Sequence, residues 1–230
     1  FPSGCKHRAV PISVADYKVM TEAVTDAELA EAKNSPYRQL CGVAPCPAAS
    51  VKIEMRYVVS VCGRYRAKWG LKQWAVLKKA FEYGYATRHV GIIYSRDLDP
   101  HGRNVLYSFA DSSHSVPRAQ GGEVVMMNGG ALTCDSKKHT VTGTSTCHDE
   151  LISFTKCGNK TMGFRNLMKE AGMCAQKPSV VAQDNEAAIQ ILMNRGSLSS
   201  RTKHIDLNVL SSRNKIEDQE ILPEYVETSL

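Results

Sequence analysis

Alternating hydrophobic and polar positions give the clearest strand signal in the segment NVLYSFAD, residues 104–111. The alternation places Val105, Tyr107 and Phe109 on one face, and Asp111 ends this otherwise apolar row. An acid that ends an apolar row is not typical of core packing. Asp111 is therefore the first candidate for a functional side chain.

Two further strands are predicted next, joined by a tight turn. The segments GEVVMMN and ALTCD flank Asn128-Gly129, and Asn-Gly is a strong hairpin signal because both turn residues need a positive φ. Further along, SVVAQ predicts a short buried strand that Asp184 and Asn185 close. A helical pattern begins directly after it, and we expect Gly196 to end that helix.

A long helix is predicted between the hairpin and the SVVAQ strand. It opens at Ser145-Thr146, and Gly172 stops it at a C′ position. Glu150 lies one turn into this helix. We expect one buried stripe, formed by Leu151, Phe154, Leu167, Met168 and Ala171.

Asp111, Glu150 and Asp184 thus come from two strand ends and the first turn of one helix. Three such acids can converge above a sheet, where their repulsion is costly unless cations neutralise it. Magnesium prefers oxygen ligands, and two ions about 3.5 to 4 Å apart can clamp a phosphodiester for attack by water. The alternative is that these acids are only helix caps and turn formers.

The front of the chain, residues 1–96, has a mostly helical pattern. Thr25 and Glu28 have capping-box spacing, and LKQWAVLKKAFEYG predicts an amphipathic helix. We expect Leu71, Trp74, Leu77 and Phe81 to face inward, and Lys68, Lys72, Lys78 and Lys79 outward. Pro45 and Pro47 predict a break in any helix or central strand, and VGIIYS predicts a strand.

Composition narrows the class of protein. The chain has 230 residues, and 43% hydrophobic content is enough for one or two globular domains. A net charge of +6 suits a polyanionic partner. No apolar run is long enough to predict a membrane span, and FPSGCKHRAV does not have the pattern of a secretory signal. Eight scattered cysteines without Cys-x-x-Cys indicate reduced, mostly buried thiols in an intracellular compartment, with no zinc site.

Seven segments carry a resemblance to a known family. They are YSFADSS, GGEVVMMNGG, SKKH, STCHDEL, FRNLMKEAG, QDNEAAI and RTKHIDL. Their order and spacing resemble the ribonuclease H domain of copia-type retrotransposon polyproteins. The resemblance implies an α/β, ribonuclease-H-like fold over residues 104–230, with a five-stranded mixed sheet flanked by helices. The smaller, mostly helical segment 1–96 resembles the tail of the family's reverse transcriptase, downstream of its polymerase aspartates.

The resemblance also implies an activity. Asp111, Glu150 and Asp184 match the family's catalytic carboxylates, Glu150 being the glutamate that ends its Ser-Thr-x-x-Ala-Glu motif. They would bind two Mg²⁺ ions, with Mn²⁺ as a substitute, and hydrolyse the RNA of an RNA–DNA hybrid. The candidates for substrate contact are Asn185, Arg201, Lys203 and His204.

Three departures from the family pattern leave a second hypothesis open. His148 replaces a family Glu, and we interpret it as a solvated histidine on the helix face. Family members continue past a strand like ILPEYVET into a helix with a fourth carboxylate, so the domain is expected to lack its last helix; Asp206 is not assigned to that role. The segment around Pro45 has also drifted. The second hypothesis is a domesticated, catalytically inactive subunit that serves a larger protein assembly as a structural or nucleic-acid-binding component.

Overall fold

The computed structural model describes residues 9–21, 24–95, 104–114, 118–173, 177–194 and 206–227, with the backbone alone at 206–208. The chain divides into two compact units, Phe1–Ile92 and Ile93–Leu230. Among the described residues, no helix is long and apolar enough to cross a membrane. Six of the eight cysteines are described, and all six are free thiols, as predicted; three of them, Cys41, Cys62 and Cys157, are buried.

In its described part, the regular secondary structure of the first unit is helical. They are α1 (Val14–Met20), α2 (Asp26–Ala32), α3 (Tyr37–Val43), α4 (Pro45–Ser50), α5 (Arg56–Gly63) and α6 (Leu71–Ala86), with a 3₁₀ turn at Ile53–Met55. Tyr37 and Leu77 are buried in the core, where the Tyr37 hydroxyl donates a 2.8 Å hydrogen bond to the Cys62 carbonyl. The predicted capping box of Thr25 and Glu28 starts α2.

Helix α6 has the predicted amphipathic character, with a small rotation of its buried face. Its fully buried residues are Gln73, Val76, Leu77 and Ala80, while Leu71, Trp74 and Phe81 are half-buried. Two of the lysines predicted to face outward form ion pairs, Lys72 with Glu28 at 3.6 Å and Lys79 with Asp16. Lys78 is exposed, and its ammonium lies 5.4 Å from the centre of the Trp74 ring.

One prediction for this region is half right and another is wrong. Pro45 separates two helices, since α3 ends at Val43 and α4 begins at Pro45, but Pro47 does not break α4; both prolines lie in its first turn, where backbone N–H groups have no intrahelical partner in any case. The segment 90–95 is not a strand. Tyr94 donates to the Ala131 carbonyl at 2.6 Å and Ser95 N–H to the Asn128 carbonyl at 2.9 Å, but these contacts do not form a ladder.

The second unit contains the five-stranded mixed sheet that was predicted. Its strands are β1 (Tyr107–Ser113), β2 (Gln120–Met127), β3 (Gly130–Lys138), β4 (Ser179–Gln183) and β5 (Ile221–Tyr225), in the spatial order β3-β2-β1-β4-β5. β1, β2 and β3 are antiparallel neighbours, whereas β1, β4 and β5 run parallel. Asn128 and Gly129 both have positive φ, 52° and 78°, which confirms the predicted turn.

The described residues of this unit also form three helices: α7 (Thr146–Glu170), α8 (Glu186–Met193) and α9 (Asp206–Glu217). α7 packs on β1, where the hydroxyl oxygens of Ser108 and Thr161 lie 2.7 Å apart. The fully buried side chains of β1 are therefore the small ones, Ser108, Ala110 and Ser112, because they face this helix; Tyr107 and Phe109 on the other face are half-buried.

Both predicted ends of α7 are confirmed, but part of its predicted stripe is not. Ser145 caps the start, and Gly172 follows the end with φ of +73°. Leu167 is 60% exposed and Ala171 is also exposed. At 100° per residue, Leu167 is rotated about 160° from Leu151, so it cannot share that residue's buried face.

Candidate metal centre

Two of the three predicted acids lie at the ends of neighbouring parallel strands. Phe109 of β1 pairs with Ala182 of β4, and Asp111 and Asp184 each lie two residues further along. Because the two strands run in the same direction, both carboxylates reach the same edge of the sheet. Asp111 is exposed and Asp184 is half-buried.

The third acid, Glu150, reaches this edge from the first turn of α7. It is only 3% exposed, and both of its carboxylate oxygens accept hydrogen bonds. Oε1 accepts from the Ser112 backbone N–H at 3.2 Å, and Oε2 from the Gln183 side-chain amide at 2.8 Å. The direct chain neighbours of Asp111 and Asp184 therefore hold the third carboxylate in place.

The three carboxylates converge, as the sequence predicted. One oxygen from each of Asp111, Glu150 and Asp184 lies within 4.8 Å of the other two. Burial, together with the negative charges of Asp111 and Asp184, raises the pKa of Glu150 to about 7, against the hydrogen bonds from Gln183 and Ser112 that lower it. The charged form of this carboxyl is therefore disfavoured, first by burial and then by the two neighbouring acids.

The donor set fits a hard divalent cation. Carboxylate oxygens are the ligands that Mg²⁺ and Mn²⁺ prefer, and a cation among them would remove the repulsion that burial makes costly. Both oxygens of Glu150 already accept one bond each, and a carboxylate oxygen has a second lone pair that is free to coordinate. Among the residues that the structure describes, Asp111, Glu150 and Asp184 are thus the group that could hold the metal.

The predicted substrate contacts have mixed placements. Asn185 is the N-cap of α8, and its Oδ1 accepts a 2.9 Å hydrogen bond from the Ala188 N–H. Arg201, Lys203 and His204 lie outside the described residues, as does Gly196, the predicted end of α8, which ends at Met193. Asp206 begins α9, with only its backbone described.

His148 differs from its prediction as a solvated histidine. It is only 6% exposed. The Thr144 hydroxyl lies 3.2 Å from His148 Nδ1, and the Thr144 N–H donates to the same nitrogen at 3.3 Å. The chain that leads into α7 covers the ring, which the helical periodicity alone does not reveal.

A second buried acid, Asp149, was missed. It is 1% exposed, and its carboxylate lies 2.6 Å from His114 Nδ1 and 3.4 Å from His139 Nδ1. Burial lowers the pKa of His139, and the charge of Lys156 lowers it further. In the Ser-Thr-x-x-Ala-Glu motif, Asp149 stands at the position of the Ala. This departure from the motif is the sequence feature that could have identified Asp149 as a functional candidate.

Comparisons with known proteins bear on the sequence resemblance. No protein-family model matches the chain. Over 188 residues, 81% of the chain, it is 24% identical to the Retrovirus-related Pol polyprotein from transposon TNT 1-94 of Nicotiana tabacum, and it spans 14% of that protein's length. The resemblance to a retrotransposon polyprotein is confirmed.

The solved structures to which the chain is similar include two kinds of protein. LC11 ribonuclease H1, isolated from compost, has a TM-score of 0.43 at 12% identity, covering 54% of this chain and 86% of that one. The foamy viral protease-reverse transcriptase, in complex with double-stranded DNA, has a TM-score of 0.48 at 18% identity, covering 90% of this chain and 36% of that one. The five-stranded mixed sheet of the second unit, flanked by helices, is itself the ribonuclease-H-like fold that the sequence resemblance implied.

Proposed function

We propose that the second unit is a metal-dependent nuclease of the ribonuclease H type, which hydrolyses the RNA strand of RNA–DNA hybrids within a retrotransposon-derived reverse transcriptase. The observation that carries the proposal is the convergence of Asp111, Glu150 and Asp184 within 4.8 Å. These acids come from strand β1, from the first turn of helix α7 and from the residue that follows strand β4. Their clustering is costly without a counter-charge, which a cation would supply.

Each acid has a distinct part in this proposal. Asp111 is exposed, so it is the carboxylate that faces an incoming phosphodiester. Glu150 is buried and held by two donors, which orients its oxygens toward the other acids. Asp184 completes the cluster from the end of β4. One or two bound Mg²⁺ or Mn²⁺ ions would lower the pKa of an attacking water and stabilise the leaving oxygen.

The distribution of charge supports a polyanionic partner. The first 92 residues contain 14 Lys and Arg against seven Asp and Glu, whereas residues 93–230 contain 15 against 16. The positive excess of the chain therefore belongs to the helical unit. A basic unit of this kind binds nucleic acid through contacts of its Lys and Arg side chains with the backbone phosphates. The affinity for nucleic acid then falls steeply as the salt concentration rises. Arg201, Lys203, His204 and Asn185 remain predicted contacts of the hybrid.

The test is cleavage of a hybrid with a labelled RNA strand in the presence of Mg²⁺. We expect RNA cleavage in the hybrid but not in single-stranded RNA, because selection depends on the hybrid's shape and 2′-hydroxyl groups. Asp111→Asn removes one metal ligand and should lower the rate by about 100-fold or more. Asp218→Asn, which changes an exposed acid after α9, is the matched control and should leave the rate unchanged.

Two results would contradict the proposal. One is the absence of cleavage by folded protein under conditions in which the hybrid is bound, which would favour a non-catalytic nucleic-acid-binding subunit. The other is cleavage that persists in Asp111→Asn, since the activity would then come from elsewhere.

A further inference from the structure

Gln183 makes an unusual set of contacts at the end of β4. Its side chain is 1% exposed and lies against the first turn of α7. Its Nε2 donates to Glu150 Oε2 at 2.8 Å and to the Glu150 backbone carbonyl at 2.9 Å. One amide group therefore binds the same residue twice, through its carboxylate and its main chain.

The orientation of this amide is determined by its partners. Both Glu150 atoms are acceptors, so only the NH₂ end of the Gln183 amide can face them. In this orientation the other end, Oε1, is buried and has no hydrogen-bond partner among the described residues. A buried carbonyl without a donor is unfavourable. The contact with Glu150 is thus kept although it leaves a polar atom unsatisfied, which indicates a role beyond stability.

The consequence for Glu150 follows from its conformational freedom. A glutamate side chain rotates about three bonds, and a single donor leaves the carboxylate free to turn about the bond to that donor. Ser112 N–H holds Oε1, and Gln183 Nε2 holds Oε2. Two donors on different strands fix the plane of the carboxylate, which determines where its remaining lone pairs point. If the Gln183 amide were removed, the hydrogen bond from the Ser112 N–H of β1 would be the one of these two that remains.

We propose that Gln183 is a positioning residue, which holds the Glu150 carboxylate in the orientation that binds a divalent cation together with Asp111 and Asp184. The inference rests on the metal binding in the proposed function, but not on hydrolysis. The proposed role belongs to the side chain of Gln183 alone, because the main-chain hydrogen bonds between β4 and its neighbouring strands do not depend on which side chain stands at this position.

The test compares Mn²⁺ binding to the full chain without nucleic acid, measured by electron paramagnetic resonance of the free ion. Gln183→Met keeps the length of the side chain and removes the donor, and we expect the affinity to fall by about 10- to 100-fold, as for other outer-shell partners of metal ligands. Gln120→Met is the matched control. It removes another buried amide of the same sheet, which donates to Ser136 at 2.7 Å, and should leave Mn²⁺ affinity unchanged.

A second variant covers the case in which Gln183→Met does not fold. Gln183→Asn keeps an amide but shortens it by one methylene, so the donor no longer reaches Glu150 Oε2; the same loss of affinity is expected. A purely structural role would lower the melting temperature of these variants without changing the Mn²⁺ affinity of the folded protein, and that result would overturn the inference. If the unchanged chain binds no Mn²⁺ at all, the proposed metal centre itself is wrong.

Discussion

Replacing Glu150 by Gln should change how the stability of the second unit depends on pH. Burial and two neighbouring acids raise the pKa of this carboxyl from 4.5 to about 7 in the folded protein. A shift of this size corresponds to roughly 3 kcal/mol. Between these two pH values the folded state holds a proton that the unfolded state has released. The contribution of Glu150 to the free energy of unfolding of the metal-free protein therefore falls as pH rises from 4.5 through 7.

Glu150→Gln cannot release this proton. The difference in unfolding free energy between the variant and the unchanged protein should shift in favour of the variant by roughly 3 kcal/mol from pH 4.5 to pH 8. Taking the difference cancels the titration of groups that both proteins share. With Mg²⁺ at pH 8, the unchanged protein should regain stability because the cation replaces the proton, and the variant should gain less.

The assay must report on the second unit alone. Both tryptophans, Trp69 and Trp74, belong to the first unit, so their fluorescence does not report on the sheet. Amide hydrogen exchange of buried residues such as Val181 in β4, measured without metal over a pH series, gives the opening free energy there. Asp218→Asn is the control and should follow the unchanged protein. A difference that stays flat with pH, or that shifts against Glu150→Gln, would refute the electrostatic reasoning.

Three further predictions concern stability, each measured by thermal or urea unfolding. Gly143→Ala should destabilise the protein by about 1 to 3 kcal/mol, because the added Cβ would lie 1.9 Å from the Asp149 carboxylate. Leu167→Ala should change stability by less than about 0.5 kcal/mol, whereas Phe154→Ala should cost about 3 to 5 kcal/mol; equal effects would contradict the observed face of α7. Asn185→Ala should cost about 1 kcal/mol and Asn185→Asp much less, because only Ala removes the cap of α8.

Features with a local physical cause were predictable from the sequence. Asn128-Gly129 forms a hairpin because two adjacent residues take positive φ, and Ser145 and Gly172 bound α7 because end groups of a helix need nearby partners. The acid cluster was also predictable, since the strand ends that carry Asp111 and Asp184 meet at one edge of a parallel pair.

Features that depend on distant neighbours were not predictable from local pattern. The segment 90–95 has the composition of a strand but pairs with no strand in the described part of the chain, and Pro47 was misread because the effect of a proline depends on its position within a helix turn. Burial of His148 and Asp149 depends on chain that folds over them from outside α7. Gln183 was missed for the same reason, because its importance depends on a contact with a residue 33 positions earlier.

The most direct test of the metal centre is a crystal structure of the protein with Mn²⁺, in which anomalous scattering locates the cation. We predict a peak bonded to oxygens of Asp111, Glu150 and Asp184 at roughly 2.0 to 2.6 Å, the range of divalent cations with carboxylate ligands. Absence of a peak among these three carboxylates, in a structure where they keep the positions described here, would contradict the assignment of this site to metal binding.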